Sequence, residues 1–139
     1  MANVFDVAKY ILDSIGGKIS TMKLQKLCYY SQAWTLAWDD SPLFNEDFLR
    51  WDNGPVCREL FDIHKGEFCI SSSMISDDLL SNTLTREQLA NIDRVMEDYG
   101  QYSGAELSEI THSEAPWKMT PKDQIITKEV IKDFYSGLL

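Results

Sequence analysis

The stretch Trp51-Asp52-Asn53-Gly54-Pro55-Val56 gives the clearest indication of how this chain folds. Asn53-Gly54 is a strong turn signal, because glycine reaches positive φ without steric cost. Proline fixes φ near the helical value and suits the first position of a helix. We therefore predict a short extended segment, Phe48–Trp51, then a sharp turn, then a third helix over residues 55 to about 65. The inward residues of that helix would be Val56, Leu60 and Ile63.

Helical periodicity dominates the sequence before this turn. Asn3 is placed to cap a first helix, which Gly16-Gly17 would end. A second, longer helix is predicted after Ser20-Thr21, with Pro42 unable to continue it. One face of the second helix is rich in aromatic side chains, and such faces usually pack in a core. Its residues are Leu24, Leu27, Cys28, Ser31, Trp34, Thr35 and Trp38, with Tyr29 and Tyr30 beside them.

The sequence after the turn predicts three further helices and a second strand. Phe68-Cys69-Ile70 predicts a strand that pairs with the first one into a small antiparallel ribbon, and residues 71–83 predict a loop. Thr85-x-x-Gln88 and Ser103-x-x-Glu106 are capping boxes that each open a helix. A linker containing Pro121 leads to a last helix capped by Thr127.

These elements together predict the fold class. We expect a mainly α protein: a single compact domain over residues 1–139, with about five to six helices and a short antiparallel β-ribbon. A chain of this length buries enough surface to fold without a disulfide or a metal ion.

The charge of the chain is negative and uneven. The net charge is −9 and residues 39–114 carry 17 acidic against 5 basic side chains. A nucleic-acid-binding domain normally presents a basic face, so we predict no nucleic-acid partner. The acidic middle could steer a basic protein partner, although a solvated surface is the simpler explanation.

Cysteine usage and hydropathy indicate a cytoplasmic protein. Cys28, Cys57 and Cys69 are odd in number and form no CxxC pair, which is typical of reduced thiols. The first residues lack the charged and apolar regions of a secretory signal. No run approaches the roughly 18 apolar residues that a membrane span needs, so we expect no membrane association.

No group of residues predicts catalysis, a metal site or a cofactor. His64 and Cys57 are seven residues apart, about two helical turns, which is too far for a nucleophile and its base. Cys57, His64, Cys69 and His112 match none of the usual zinc spacings. Glycine-rich phosphate-binding motifs are absent. We therefore predict that the protein is not an enzyme.

Residues 111–117 allow two interpretations. His112, Glu114 and Trp117 could form a polar and aromatic patch that binds a partner, since tryptophan is enriched at binding hot spots. Alternatively, His112 bonds nearby carbonyls while Trp117 fills a gap in the core, which is the interpretation we favour. The same two interpretations apply to Trp51, for which we expect partial burial.

Five short motifs occur in order along the chain. They are Leu24-Gln25-Lys26-Leu27, Tyr29-Tyr30-Ser31-Gln32-Ala33-Trp34, Pro42-Leu43-Phe44, Trp51-x-x-Gly54-Pro55-Val56 and His112-x-x-x-Pro116-Trp117. Their combination resembles the Panacea antitoxin domain, also described as the SocA-like antitoxin or phage-associated GepA-type family. The likeness runs from about residue 5 to residue 135. Cys28 and Asn53 depart from the pattern, since an aliphatic and an aromatic residue are more usual there.

The resemblance implies a mostly helical antitoxin that binds and neutralises a cognate protein toxin encoded beside it. One relative acts instead as an adaptor that delivers its toxin to a cytosolic AAA+ protease, for which residues 136–139 would be a tether. A phage-encoded inhibitor of a host protein and an enzyme using Cys57 or His112 are further alternatives. The predicted partner-binding residues are Trp51, Asp52, Asn53, Gly54, Pro55, His112 and Trp117. Gly54 and Pro55 would set the backbone, while Asp52 and Asn53 would face the partner.

Overall fold

Seven α-helices and five short strands make up the computed structural model, which describes residues 1–139. The helices are α1 (Val4–Ile15), α2 (Thr21–Asp39), α3 (Arg58–His64), α4 (Arg86–Tyr99), α5 (Gly104–His112), α6 (Ala115–Met119) and α7 (Lys128–Ser136). The strands are β1 (Ile19–Ser20), β2 (Phe48–Trp51), β3 (Gly54–Cys57), β4 (Cys69–Ile70) and β5 (Ile125–Ile126). The predicted mainly α fold is confirmed. No helix is both long enough and apolar enough to cross a lipid bilayer.

Four of the predicted helix starts, at Asn3, Thr85, Ser103 and Thr127, are confirmed in detail. Asn3, Thr85 and Ser103 each accept a hydrogen bond from the backbone three residues on, and the third residue returns one, which completes a capping box. Thr127 caps α7 through Val130 N. These caps satisfy amide groups that have no partner inside a helix.

Helix α2 lies at the centre of the protein. Residues 24–33 are all buried, so every side of this part of the helix is covered. Helices α1, α4, α5 and α7 and strand β3 pack around it. A core cluster of 25 buried residues includes Leu24, Leu27, Tyr29 and Tyr30 from α2. The central position of α2 explains why its buried glutamines, Gln25 and Gln32, bond to other segments instead of facing water.

Two buried glutamines of α2 hold the chain on either side of β2. Gln32 Oε1 accepts from Leu43 N at 2.7 Å, and its Nε2 donates to Phe44 O at 2.7 Å. Gln25 Oε1 accepts from Cys57 N at 2.9 Å, and its Nε2 donates to Cys57 O at 3.2 Å. The side-chain amides thereby satisfy buried backbone groups that no strand or helix serves.

The prediction of a helix beginning at Pro55 is wrong. Strands β2 and β3 form an antiparallel hairpin in which Trp51 pairs with Gly54 and Arg50 pairs with Pro55. Helix α3 begins only at Arg58. Strand β3 is an edge strand, where a missing N–H costs no ladder hydrogen bond, and the fixed φ of proline also suits a strand. Pro55 is therefore compatible with the first turn of a helix and with an edge strand.

The predicted pairing of the second strand is also wrong. Strand β4 exists, but it pairs with β1, with Ile19 opposite Ile70. The second partner of β2 is β5, which lies in the segment predicted as a linker. Helix α6, which begins before that segment, was not predicted. Strands of two residues carry no periodic signal, and only long-range contacts define them. The predicted loop over residues 71–83 contains two single 3-10 turns, Ser72–Met74 and Asp77–Leu79.

Candidate partner-binding surface

The tip of the β2–β3 hairpin is fixed to the helices beneath it by two hydrogen bonds. Ser108 Oγ of α5 donates to Asn53 O at 2.6 Å. Trp117 Nε1 of α6 donates to Trp51 O at 2.8 Å. Both acceptors are main-chain carbonyls of the turn, so α5 and α6 hold the hairpin tip in one orientation.

Asp52 and Asn53 are the two loop residues of the hairpin, and both are exposed. Gly54 follows with φ +117°, a conformation that favours glycine. Gly54 and Pro55 are buried, while Trp51 is half-buried with its ring edge-on to Phe61 at a centroid distance of 5.0 Å. The expected partial burial of Trp51 and exposure of Asp52 and Asn53 are confirmed.

A side chain at position 54 would collide with α2 and α5. A Cβ atom there would lie under 3.0 Å from Lys26 Cε and 2.9 Å from Thr111 Oγ1. Two separate constraints therefore require glycine at position 54: the positive φ of the backbone and the close approach of Lys26. This contact joins the Leu24-Gln25-Lys26-Leu27 motif directly to the Gly54-Pro55 turn.

His112 and Trp117 lie together on the side of β2 occupied by Arg50. Their rings are 4.0 Å apart, and the guanidinium of Arg50 lies 3.6 Å above the Trp117 ring. His112 Nε2 is buried and has no hydrogen-bond partner, so it does not bond the nearby carbonyls that we considered. The hydrogen bond of Trp117 to Trp51 O links this group to the hairpin. All seven predicted site residues therefore lie on or beside one hairpin.

A pocket of about 400 Å³ opens between α2, the hairpin and α3. Trp51 and Phe61 supply its aromatic wall, and Gln25, Lys26 and His64 supply buried polar groups. Three exposed, charged residues complete the lining: Asp52 at the hairpin tip, and Lys122 and Asp123 in the loop before β5. Asp52 pairs with Lys122 at 3.5 Å and with Arg50 at 4.0 Å.

Lys26 is the unusual residue of this pocket. Its side chain is 1% exposed, and no hydrogen bond or ion pair within the chain reaches its amine. Burial lowers the pKa of Lys26 to about 7. A charged amine that loses water without gaining a partner is costly, and the lower pKa reflects that cost.

His64 contributes no charge to the pocket at neutral pH. Gln25 Nε2 lies 3.0 Å from His64 Nε2, and an amide N–H must donate to an unprotonated ring nitrogen. Burial lowers the pKa of His64, in agreement with a neutral ring. The wall formed by Gln25 and His64 is therefore polar and uncharged.

The two buried cysteines, Cys28 and Cys57, are not activated as nucleophiles. Burial raises the pKa of Cys57 to about 12 and holds the pKa of Cys28 well above its usual range. Only a thiolate attacks efficiently, so these buried thiols are inert at neutral pH. No group of three or more His, Cys, Asp or Glu side chains is arranged to hold a metal ion.

Sequence reasoning did not select Lys26, Phe61 or His64 as residues of this surface. Lys26 was part of a motif, but nothing in its local sequence indicates burial without a partner. Its place in the site depends on the approach of Gly54, 28 residues later in the chain. Phe61 and His64 enter the site because α3 starts at Arg58, which turns them toward the pocket.

These features describe a small, mainly helical domain with a fixed hairpin and a pocket on one surface. A model of the family described as antitoxin SocA-like, Panacea domain, matches residues 24–118, which is more than half of the chain. The chain belongs to that family. The matched range includes Lys26, the hairpin, His112 and Trp117. No curated protein and no solved structure matches the chain.

Proposed function

We propose that this protein is an antitoxin that neutralises a cognate protein toxin by direct binding. We further propose that the seven predicted site residues on and beside the β2–β3 hairpin, here called the hairpin surface, contact the toxin. Membership of the SocA-like, Panacea family is the observation that carries the proposal. The family assigns an antitoxin role in general terms and leaves the toxin open, since a shared fold does not specify a partner.

The hairpin surface suits protein recognition for physical reasons. Its tip is held by α5 and α6, so little conformational entropy is lost when a partner binds it. Trp51 offers a half-buried aromatic surface beside the exposed Asp52 and Asn53. Thr21, which lines the pocket, donates its backbone N–H to Phe68 O at 2.9 Å, and the Phe68 side chain is 91% exposed.

We further propose that neutralisation requires no chemistry by this chain. The inert thiols of Cys28 and Cys57 support this, as does the packing of His112 against Trp117. His64 is engaged by Gln25 and has no nucleophile in hydrogen-bond reach.

The test is co-expression with the product of the adjacent gene. We expect that product to arrest growth alone, to be harmless with this protein, and to co-purify with it. Asp52→Arg should weaken the complex at least about tenfold, because a reversed charge at the centre of an interface is repelled or left unpaired. Glu97→Arg is the matched control, since it makes the same charge change on the exposed face of α4. An adjacent product that is harmless, or that does not co-purify, refutes the proposal.

A proteolytic adaptor is the second candidate. The exposed side chains of Leu138 and Leu139 favour it, because exposed apolar side chains are available to a protease. Deleting residues 136–139 should then stop toxin degradation in cells while the complex still forms. Unchanged degradation with the truncated protein rules out this tether.

A further inference from the structure

The buried amine of Lys26 has no anionic partner within the chain. Among the charged side chains of the core, Asp6 by contrast accepts hydrogen bonds from Ser81 N at 2.9 Å and Asn82 N at 3.1 Å. Lys26 is buried as deeply, yet the chain provides no carboxylate beside it. Buried charges in proteins are normally paired, so an unpaired one that lines a pocket indicates a ligand.

We propose that the pocket between α2, the β2–β3 hairpin and α3 is a binding site for a carboxylate group, which pairs with the Lys26 amine. The polar and aromatic groups around the pocket fit such a ligand. Asn53 is exposed at the rim, and its side-chain amide is free to donate to the second carboxylate oxygen. Trp51 and Phe61 would pack against an apolar or aromatic body that carries the carboxylate.

The other charges around the pocket are compatible with an anion. His64 is neutral for the reason given above, and Lys122 at the mouth is attractive. Asp52 is paired with Lys122 and Arg50, which reduces its repulsion. Asp123 is the remaining acidic residue of the lining and makes no ion pair. Its position provides a direct test of the sign of the ligand charge.

Two sources can supply such a carboxylate. One is an acidic side chain or chain terminus of the proposed toxin, in which case the inference rests on the proposed function. The other is a free small-molecule acid, in which case it does not.

The first experiment uses the purified chain and a matched pair of probes. Phenylacetate and phenylacetamide have the same shape, and only the first carries a charge. NMR titrations would follow the εCH₂ of Lys26 and the indole N–H of Trp51. We expect phenylacetate to bind at least about tenfold more tightly than the amide, and Lys26→Met to abolish that preference, as for a charge-assisted contact. Phenylacetate should also raise the midpoint at which the Lys26 signal titrates. Equal binding of both probes, or no binding of either, overturns the inference.

Asp123→Asn keeps the test decisive should Lys26→Met fail to fold. Removing this negative charge should tighten phenylacetate binding by about threefold, the scale of one exposed charge near a ligand. Unchanged or weaker binding of phenylacetate in that variant would show that the pocket does not respond to the negative charge of the probe, and would overturn the inference.

The second experiment identifies the source. If Lys26→Met weakens the complex with the adjacent gene product at least about tenfold and phenylacetate competes with that product, the carboxylate belongs to the partner. If the complex is unaffected while phenylacetate still binds the chain, the site serves a small-molecule acid. A chain that binds phenylacetate but not the adjacent product refutes the antitoxin proposal alone. A chain that binds the product but shows no charge preference among the probes refutes the carboxylate site alone.

Discussion

Gly54 and Lys26 occupy adjoining space, and the absence of a side chain at one residue makes room for the side chain of the other. A Cβ atom at position 54 would lie under 3.0 Å from Lys26 Cε. The contact joins the hairpin to the central helix at the point where the pocket begins. The structure therefore explains why the two motifs occur together in one chain.

Gly54→Ala should lower the free energy of unfolding by about 3 kcal/mol. Placing a Cβ at a positive φ costs roughly 1–2 kcal/mol, and overpacking against Lys26 and Thr111 adds about 1–3 kcal/mol. Gly66→Ala is the control, because Gly66 has φ +86° but no atom within 4 Å of its Cβ position. Urea unfolding of both variants measures the difference. Equal losses would show that the close approach of Lys26 is unimportant.

Lys26→Met should change how stability depends on pH. The pKa of Lys26 is lowered from 10.5 to about 7 in the folded protein, so between these values the unfolded chain binds more protons. Stability therefore rises with pH above about 7, by about 1.5 kcal/mol between pH 7 and pH 8.5. Met cannot titrate, so the variant should lack this rise.

The pH window for this measurement is bounded by other groups. His64 has a lowered pKa, so its effect lies below its ordinary value of 6.5. Cys28 and Cys57 have raised pKa values, so they reduce stability as pH rises through their ordinary range near 9. Urea unfolding between pH 7 and pH 8.5 isolates Lys26. The same slope in both proteins would contradict an unpaired amine.

Gln32→Leu should cost about 3 kcal/mol or more. The substitution leaves Leu43 N and Phe44 O buried without their partners, and each such group costs about 1–3 kcal/mol. Gln101→Leu makes the same change at an exposed position and should stay within about 0.5 kcal/mol of the wild type. Thermal unfolding in parallel tests both. Equal effects would mean that the Gln32 amide does not anchor the segment before β2.

The stability of the protein should survive replacement of Glu114 by glutamine but not by alanine. Its Oε1 accepts from Tyr30 OH at 2.7 Å and from Tyr135 OH at 2.8 Å, which ties α2 to α7. Burial raises the pKa of Glu114, so a neutral acceptor avoids part of that cost. Glu114→Gln should stay within about 1 kcal/mol of the wild type, whereas Glu114→Ala should lose about 3 kcal/mol. Chemical denaturation at pH 7 distinguishes them, and equally large losses would indicate that the charge itself is needed.

Local signals predicted the helices well. Asn3, Thr85, Ser103 and Thr127 were identified as caps because a cap depends on residues within one turn. The exposed Asp52 and Asn53 were likewise predicted, since turn chemistry is local. Sequence reasoning failed at Pro55, whose fixed φ suits a helix start and an edge strand equally.

The candidate site was predicted only in part. The hairpin residues, His112 and Trp117 were selected, and they do lie around one hairpin. The pocket was not predicted, because its polar wall comes from Gln25, Lys26 and His64, which are brought together by packing. No periodicity distinguishes a buried lysine from an exposed one on a helix that is covered on every side.

The amino-acid sequence by itself determined the caps of four helices, the turn at Asp52 and Asn53, and the family to which the chain belongs. These depend on short-range chemistry and on motif order. Only the tertiary structure decided that Gly54-Pro55 continues as a strand, that β2 pairs with β5, and that Lys26 lines a pocket while its amine has no partner. These three features depend on contacts between segments that are distant in the sequence. The free energy of such contacts depends on the packing around them and on which polar groups find a partner.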